Sequence, residues 1–389
     1  MSRLFVGKSS HRDLDIAVEQ AAGRAMEGAG RAQLALVFTT DHYDFEGVAR
    51  QSSRLLGDTP WVGCCTAGVF AGDELLRRGI VVGVLGDGAG GLSLGVGISG
   101  PVSADARAAG RSAVREAIKA LPGSQDANRA LILLPDAITG NGAGVVRGAA
   151  QEAGSLFYWA GGGAGDNLRF METAQFAHGR AFRDHVVAIA LEGSSFGVGI
   201  RHGWRPYGPP HMVTRAEGAR VIELDYMPAF EVYRQVAAKH GDTVTREGFA
   251  AFAMSHPLGV PQADGEHVIR DPLAVEADDS LRCVAEVPEG TCVRVMRGDR
   301  QLLLEAARQA AARARSAMPG GVGGAVVFDC VSRSLMLERE IGAELAAFRR
   351  ELGEDVPLVG CLTFGEVGAL GTGVPKFHNK TAVVLTLPP

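Results

Sequence analysis

A glycine-rich block that follows an apolar run occurs three times along this chain of 389 residues. In each case an apolar run and an amphipathic segment lead into the block, and further strand-like runs follow it. The order strand, helix, strand, glycine turn, strand therefore recurs, which is the pattern of an internal repeat. We predict an α/β fold of layered mixed sheets with helices, built from about three such units. The blocks are WVGCCTAG at 61–68, YWAGGGAG at 158–165 and LVGCLTFG at 358–365.

Glycine is also the residue that stands out in the composition. The chain has 53 glycines, whereas an average usage of ~7% would give about 27. They have no three-residue period, which excludes collagen, and they gather at the ends of apolar runs. Such positions are typical of tight turns and of places where the backbone approaches another group closely.

Charge and hydrophobicity exclude several classes of protein. The formal net charge is −5 without a basic stripe, so we expect no nucleic-acid partner. The longest apolar runs, such as 79–85 and 186–191, are too short to cross a bilayer, and the N-terminus becomes polar too early for a secretory signal. The six cysteines form no C-x-x-C pair and indicate reduced thiols. We therefore expect a cytoplasmic protein with no membrane partner.

Two familiar motifs occur in the wrong context. Residues 86–91 fit the dinucleotide pattern G-x-G-x-x-G, but a strand-like segment follows them instead of a helix. Residues 193–197 fit the hydrolase pattern G-x-S-x-G without the strand-to-helix elbow. We interpret both as turns of β-hairpins, the first joining strands at 79–85 and 92–98. The sequence GNGAG at 140–144 lies between a strand and a helix, where it either holds an anion or forms an ordinary loop.

Further blocks follow one another along the chain, including LLPD (133–136), GGGAGD (161–166), LVGCLTFGE (358–366) and FHNKTAVV (377–384). With these blocks in this order, the chain resembles the FIST family nearly from end to end. The resemblance implies an N-type domain over residues 1–220, with two repeat units, and a C-type domain over residues 221–389, with the third unit and an irregular insert. It also implies an intracellular sensory module that binds a small, amino-acid-like ligand. Because no output domain follows the last strand, we expect signalling through a separate protein such as a histidine kinase.

Polar residues in and beside the glycine turns are the predicted ligand-binding residues, because pockets of α/β proteins open at strand ends. Glu366 is expected to meet a ligand ammonium group, and glycine N–H groups a carboxylate. The alternative is that residues such as Asp136 and Asn379 only cap turns. The predicted set is Asp136, Asn141, Gly162, Gly163, Asp166, Asn167, Cys361, Thr363, Glu366, His378 and Asn379.

Two other functions stay open. Some proteins similar to this one bind haem and respond to nitric oxide, and here His202 or His211 would supply the axial ligand. We expect no other cofactor and no metal. A cysteine-dependent enzyme acting on a small metabolite would use Cys361 as its nucleophile, activated by the following glycine turn, and His378 as its base. A cysteine at the end of a Val-Gly-Cys strand is more commonly a small buried residue, so we favour the sensory function over catalysis.

Overall fold

A computed structural model describes residues 4–86, 92–124, 127–139, 141–154, 156–263 and 265–389 of the chain. It is a mixed α/β structure of layered mixed sheets covered by helices, which confirms the predicted fold class. Within these ranges, no helix is both long enough and apolar enough to cross a membrane.

The helices begin where the sequence supplies a capping side chain. Asp44, for example, accepts a 2.6 Å hydrogen bond from the main-chain nitrogen of Gly47, and Asp105 accepts one of 2.9 Å from Ala108. Such caps satisfy N–H groups that have no partner inside the helix. The helices are α1 (Leu14–Met26), α2 (Phe45–Leu56), α3 (Ala106–Lys119), α4 (Gly142–Ala153), α5 (Ala229–Lys239), α6 (Phe249–Ser255), α7 (Arg300–Ser316), α8 (Val331–Leu337) and α9 (Ile341–Leu352), with a 3-10 turn at Glu338–Glu340.

The strands alternate with these helices along most of the chain. In chain order they are β1 (Leu4–Ser9), β2 (Ala32–Thr39), β3 (Trp61–Cys65), β4 (Val69–Ala71), β5 (Glu74–Leu76), β6 (Ile80–Gly86), β7 (Ser93–Ser99), β8 (Asn128–Pro135), β9 (Tyr158–Gly162), β10 (Gln175–Ala177), β11 (Arg180–Phe182), β12 (Val186–Gly193) and β13 (Gly197–Arg201). They continue with β14 (Arg205–Glu217), β15 (Arg220–Leu224), β16 (Met227–Pro228), β17 (Leu258–Pro261), β18 (His267–Arg270), β19 (Pro272–Val275), β20 (Leu281–Cys283), β21 (Cys292–Arg297), β22 (Gly324–Cys330), β23 (Leu358–Thr363), β24 (Glu366–Gly368), β25 (Lys376–His378) and β26 (Ala382–Leu387).

Three six-stranded sheets share one pattern of strand order and together form what we call the three-sheet body. Their orders are β1-β6-β2-β3-β10-β11, β7-β12-β8-β9-β24-β25 and β13-β26-β22-β23-β4-β5. In each sheet the pair that is joined through a helix is parallel (β2–β3, β8–β9 and β22–β23), and the other pairs are antiparallel. The short hairpins β4–β5, β10–β11 and β24–β25 each extend a sheet whose central strands lie elsewhere in the sequence, so the three sheets are interlocked.

The two predicted hairpins are wrong. Strand β6 pairs with β1 and β2, whereas β7 pairs with β12 in another sheet. Likewise β12 pairs with β8, whereas β13 pairs with β26. The segment at 193–197 therefore crosses between sheets instead of closing a hairpin. Most of the motif at 86–91 lies outside the described residues.

Two glycines of β7 are required because helix α3 packs very close to this strand. A Cβ atom on Gly95 or Gly97 would lie 2.0 Å from the carbonyl oxygen of Ala117 or Ala113, respectively, on α3. Only glycine lets the helix pack this closely on the edge strand. Part of the glycine excess therefore lies within strands that face helices, and not only in turns.

An apolar core fills the space that the three sheets enclose. Phe38 of the first sheet and Phe328 of the third meet edge to face at a ring distance of 6.0 Å, and Ile132 and Leu134 of the second sheet join the same cluster. The outer faces carry α1 and α2 on the first sheet, α3 and α4 on the second, and α7 and α9 on the third. The central strands of each sheet are therefore buried on both faces, which explains why they are mostly apolar.

The segment that we predicted to be an irregular insert is regular. It forms a fourth sheet in the order β18-β17-β21-β14-β15-β20-β19, with α5 and α6 packed on it around Phe230, Tyr233 and Phe249. The pairing of β14 with β21 shifts register between Pro206 and Pro210, and proline cannot donate to a ladder. The residues of β14 therefore do not show the regular alternation of buried and exposed side chains that would predict a strand. The predicted domain boundary near Arg220 stays a prediction; that residue begins β15.

Buried contacts join this insert to the three-sheet body. The ammonium group of Lys380 lies 3.0 Å from Oδ2 of Asp271 and donates to the carbonyl of Met254 at 3.1 Å. The guanidinium of Arg270 donates to the carbonyl of Phe377 at 3.1 Å. The insert is thus held against the turn that follows β25.

Candidate functional site

A cavity of about 230 Å³ lies between the β17–β18 hairpin of the insert and the three-sheet body. Its walls come from the end of β13, from the hairpin, and from the stretch between β24 and β26. The apolar part is formed by residues such as Ile200, Val268 and Leu370. The polar lining residues are Arg201, His202, Gln262, Glu266, His267, Lys376, His378 and Thr381.

Oppositely charged and polar groups face each other across this cavity. Arg201, at the end of β13, lies 3.1 Å from Oε1 of Glu266, next to the start of β18. Lys376 of β25 donates a hydrogen bond to Oε1 of Gln262. An apolar recess with a few convergent polar groups is the usual form of a small-molecule site.

His202 has a hydrogen-bond donor without an acceptor. The main-chain N–H of Trp204 donates to Nδ1 of His202 at 2.9 Å, so in the neutral ring the proton is on Nε2. Nε2 is shielded from water, and none of the described residues places an acceptor within hydrogen-bond distance of it. Burial, with the nearby His267 and His378, lowers the pKa of His202 to about 3, so the ring is uncharged at neutral pH.

His378 has a fixed tautomer as well. Its Nε2–H donates to the carbonyl of Gly368 at 3.3 Å, which leaves Nδ1 as an acceptor. Burial lowers the pKa of His378 to about 4. Both predicted histidines in this cavity are therefore neutral imidazoles, one with a free donor and one with an acceptor nitrogen.

Glu366 lies directly behind the cavity wall. Its Oε2 accepts from the main-chain nitrogen of Thr381 at 3.1 Å, and its Oε1 accepts from the hydroxyl of Thr363 at 2.9 Å. Complete burial raises the pKa of Glu366 to about 8. The carboxyl group does not line the cavity, so its predicted contact with a ligand ammonium group stays a prediction.

Two family models match the chain, the FIST N domain over residues 33–227 and the FIST C domain over residues 229–369. The chain belongs to the FIST family. FIST domains are generally sensory domains that bind small ligands. The cavity contains residues from both matched regions, for example His202 from the first and His267 from the second.

The curated relatives of this FIST protein are uncharacterized. The protein Rv0628c of Mycobacterium tuberculosis (strain H37Rv) is 28% identical in an alignment of 214 residues that covers 52% of this chain and 55% of the relative. The protein Mb0898c of Mycobacterium bovis is 26% identical over 220 residues, with the same shares of the two chains. The chain thus spans about half the length of the curated relatives it matches.

A distant likeness to a solved structure adds nothing to this assignment. The crystal structure of a cyanuric acid hydrolase from A. caulinodans has a TM-score of 0.33 and 11% identity, covering 100% of this chain and 99% of that one. A likeness of this degree carries no argument about the fold or the activity of the FIST chain.

The predicted aspartates of the FIST N region act as turn caps. Oδ1 of Asp136 accepts from the nitrogens of Ile138 and Thr139 at 2.9 Å, and its Oδ2 accepts from Asp184 at 3.0 Å. The carboxylate of Asp166 accepts three main-chain hydrogen bonds, from Arg169, Phe170 and Met171. Both side chains are buried. The structure thus gives them the capping role that we weighed as the alternative.

Neither predicted asparagine of the FIST N region reaches the cavity. Oδ1 of Asn141 caps α4 by accepting from Gly144 at 2.9 Å. Asn167 is exposed, and its main-chain nitrogen donates to Asp41 at 3.2 Å. The loop at 140–144 therefore provides the cap of a helix, although Gly140 itself lies outside the described residues.

The glycine blocks meet where the sheets converge, and they bind one another. The nitrogen of Gly163 donates to the carbonyl of Gly365 at 2.8 Å, and the nitrogen of Phe364 donates back to Gly163 at 3.0 Å. A Cβ atom on Gly162 would lie 2.3 Å from Cγ2 of Thr363. These glycines permit close packing of strands, and the N–H of Gly163, predicted to meet a ligand carboxylate, is already satisfied.

Cys361 does not have the environment of a nucleophile. It is completely buried in the central apolar core, with Cys64 beside it. Burial and the Cys64 contact raise the pKa of the Cys361 thiol well above its ordinary value, so the predicted activation by the glycine turn is wrong. His378 lines the cavity, whereas Cys361 does not. All six cysteines of the chain are free thiols.

The two histidines considered for haem differ in chemistry. In His202 the Trp204 bond occupies Nδ1 and leaves Nε2 protonated, the opposite of the usual metal-ligating arrangement. In His211, Nδ1 lies 2.7 Å from Oδ2 of Asp225, which leaves the Nε2 lone pair available, but this residue does not line the cavity.

A drug-sized ligand usually needs about 300–1,000 Å³, so a cavity of about 230 Å³ does not fit a porphyrin. In the part of the chain that the structure describes, no cluster of three or more His, Cys, Asp or Glu side chains could hold a metal ion.

Sequence reasoning missed the buried charges beneath the site. Arg333 of α8 is completely buried, and its Nε lies 3.0 Å from both Oδ1 of Asp329 and Oε1 of Glu344. The same guanidinium donates to the main-chain carbonyl of His202 at 2.6 Å. Nothing in the local sequence distinguishes this arginine from an exposed helical one. Asn379, predicted as a ligand contact, directly follows His378 and is buried, and none of the described residues donates a hydrogen bond to its Oδ1.

Proposed function

We propose that this FIST protein is an intracellular sensor that binds an amino-acid-like molecule in the cavity between the β17–β18 hairpin and the three-sheet body. The observation that carries the proposal is the meeting of groups from both FIST regions around one apolar recess, with a buried donor, Nε2–H of His202, that has no partner among the described residues. Buried polar groups normally have partners, and a bound ligand would supply one.

The charges of the lining favour a small zwitterion. Arg201 and Lys376 are suited to a carboxylate, and Glu266 is suited to an ammonium group. The cavity of about 230 Å³ suits a molecule smaller than a typical drug-sized ligand. An α-amino acid presents both charges within that size, with a side chain for Ile200 and Leu370.

The position of the cavity suits a sensor. A ligand held by His202 and His267 at once would fix the insert hairpin relative to the three-sheet body, and contacts made in only one arrangement shift a conformational equilibrium. We propose that a separate signalling protein, such as a histidine kinase, reads this change. Autophosphorylation of a purified candidate kinase, measured with the chain in the presence and absence of the ligand, tests this part.

Thermal unfolding with single amino acids tests the binding. A ligand at a hundred times its Kd stabilises by about 2.7 kcal/mol, so at least one amino acid should raise the Tm by a few degrees. Val374→Trp, which puts a large ring on an exposed wall residue, should abolish the shift. Val284→Trp, at another exposed valine outside the cavity, should retain it. If no amino acid changes the Tm, or if both variants respond alike, the proposal fails.

A further inference from the structure

The ring of His202 is fixed by the main chain on one side and unsatisfied on the other. The 2.9 Å bond from the nitrogen of Trp204 takes the lone pair of Nδ1. The carbonyl of His202 accepts from the buried Arg333 at 2.6 Å, which anchors the backbone as well. The side chain is 11% exposed. The residue is therefore a positioned donor, because neither its backbone nor its Nδ1 is free to rearrange.

The carboxylate of Glu266 lies on the cavity side of His202 and does not accept a hydrogen bond from Nε2. Oε2 of Glu266 lies 3.9 Å from Nε2 of His202, too far for a hydrogen bond. The other oxygen, Oε1, is held by Arg201 at 3.1 Å. Glu266 is 40% exposed, so its side chain has room to turn outward. A gap of 3.9 Å is too narrow for another atom, so a ligand oxygen can bind Nε2 only when the side chain of Glu266 has turned outward.

We propose that a carboxylate oxygen of the ligand accepts a hydrogen bond from Nε2–H of His202, with Arg201 beside it. This inference rests on the proposed function and specifies which end of the ligand lies where. The carboxylate faces His202 and Arg201, and the ammonium group of a zwitterion faces Glu266. An ammonium group or a metal ion would need a lone pair on Nε2. As long as the N–H of Trp204 donates to Nδ1, the neutral ring carries its proton on Nε2, so neither cation can bind there.

Fragment probes test this orientation without knowledge of the natural ligand. Propionate carries the carboxylate alone, and propylamine carries the ammonium group alone. In nitrogen-15 NMR spectra of the histidine side chains, His202 should be the neutral Nε2–H tautomer in the free protein. Propionate should shift its Nε2–H resonance, and propylamine should leave it unchanged.

Two variants separate the two ring nitrogens. His202→Asn keeps an oxygen near the position of Nδ1 for Trp204 but removes the outer donor. His202→Gln keeps an N–H near the position of Nε2. Loss of a hydrogen bond to a charged group should weaken propionate binding in His202→Asn by about 10- to 100-fold. The Gln variant should bind several-fold better than the Asn variant.

The outcomes distinguish this inference from the proposed function. If the free ring is the Nδ1–H tautomer, if propylamine shifts it as propionate does, or if His202→Asn binds propionate as the wild type does, the inference is wrong. In that case, an amino acid that still shifts the resonances of His267 and His378 leaves the cavity as the binding site. If neither propionate nor any amino acid shifts these resonances, the inference and the proposed function both fail.

Discussion

The main-chain N–H of Trp204 donates a 2.9 Å hydrogen bond to Nδ1 of His202, and this bond places the proton of the imidazole on Nε2. Trp204 lies only two residues further along the chain, so the tautomer is set by local backbone geometry at the end of β13. The result is a donor at the wall of a cavity that two FIST regions share. The same bond makes His202 a poor metal ligand, because coordination requires the lone pair.

Haem binding gives the first prediction. Haemin added to the purified chain should produce no Soret band that depends on His202, so the difference spectra of the wild type and His202→Ala should coincide. His211→Ala is the matched control, because His211 has the tautomer that a metal needs. A band that disappears in His202→Ala contradicts our account of that residue. A band lost only in His211→Ala would place haem on the insert sheet.

The reactivity of the thiols is the second prediction. Cys361 is buried and its pKa is raised, so the thiolate is scarce and inaccessible. A thiol-specific reagent should label Cys361 only when the chain unfolds, and the half-buried Cys292 should react first in the folded protein. Peptide mapping after short labelling checks the order, with Cys292→Ser as the control. Fast labelling of Cys361 in the folded chain would revive the cysteine-dependent enzyme.

Glu366 gives a third prediction, on pH dependence. Its pKa rises from an ordinary 4.5 to about 8 on folding, so the folded state holds this proton more tightly than the unfolded state. The stabilisation is complete below pH 4.5 and is lost as the pH rises through about 8. Glu366→Gln cannot ionise, and its free energy of unfolding should fall less between pH 5 and 8. Glu27→Gln, at an exposed position, should keep the wild-type slope, and an unchanged slope in Glu366→Gln would contradict the argument.

The buried ion pairs of Arg333 give the fourth prediction. Removing this cation leaves the buried carboxyl groups of Asp329 and Glu344 without their ion-pair partner. Arg333→Ala should lower the free energy of unfolding by about 3–5 kcal/mol. Arg308→Ala, which breaks an exposed pair with Glu305, should cost no more than about 1 kcal/mol. Urea unfolding measures the free energy of unfolding of the two variants. Equal decreases in both would show that the buried ion pairs add nothing to stability.

In the three-sheet body, the sequence predicted which segments form strands better than it predicted which strands pair with each other. The runs that became β2, β3, β8, β9, β22 and β23 are mostly apolar because they are buried on both faces. The run that became β7 was recognised as a strand, but its partner β12 comes about ninety residues later in the chain. Periodicity reports which face of a strand is buried, and it carries no information about which distant strand binds the edge.

The site could be predicted only in fragments. His202 and His378 were identified as candidates, and the structure brings them to one cavity. Their shared neighbours Glu266 and His267 lie in the insert, which we predicted to be irregular and which instead contains the β17–β18 hairpin. The positions of Asp136 and Asp166, after a strand end and a glycine turn, predict a ligand contact, yet the same positions need a cap for free backbone N–H groups. Sequence alone cannot show which of the two needs is met.

Hydrogen–deuterium exchange with a mixture of the standard amino acids tests the central claim most directly. The claim is that the cavity between the insert hairpin and the three-sheet body is a ligand site. We predict slower exchange in the peptides that contain residues 200–204, 258–270 and 368–381, and no slowing in Val374→Trp. Unchanged exchange in all three segments, or protection confined to the strand-end turns around Asp136 and Asp166, would contradict this account.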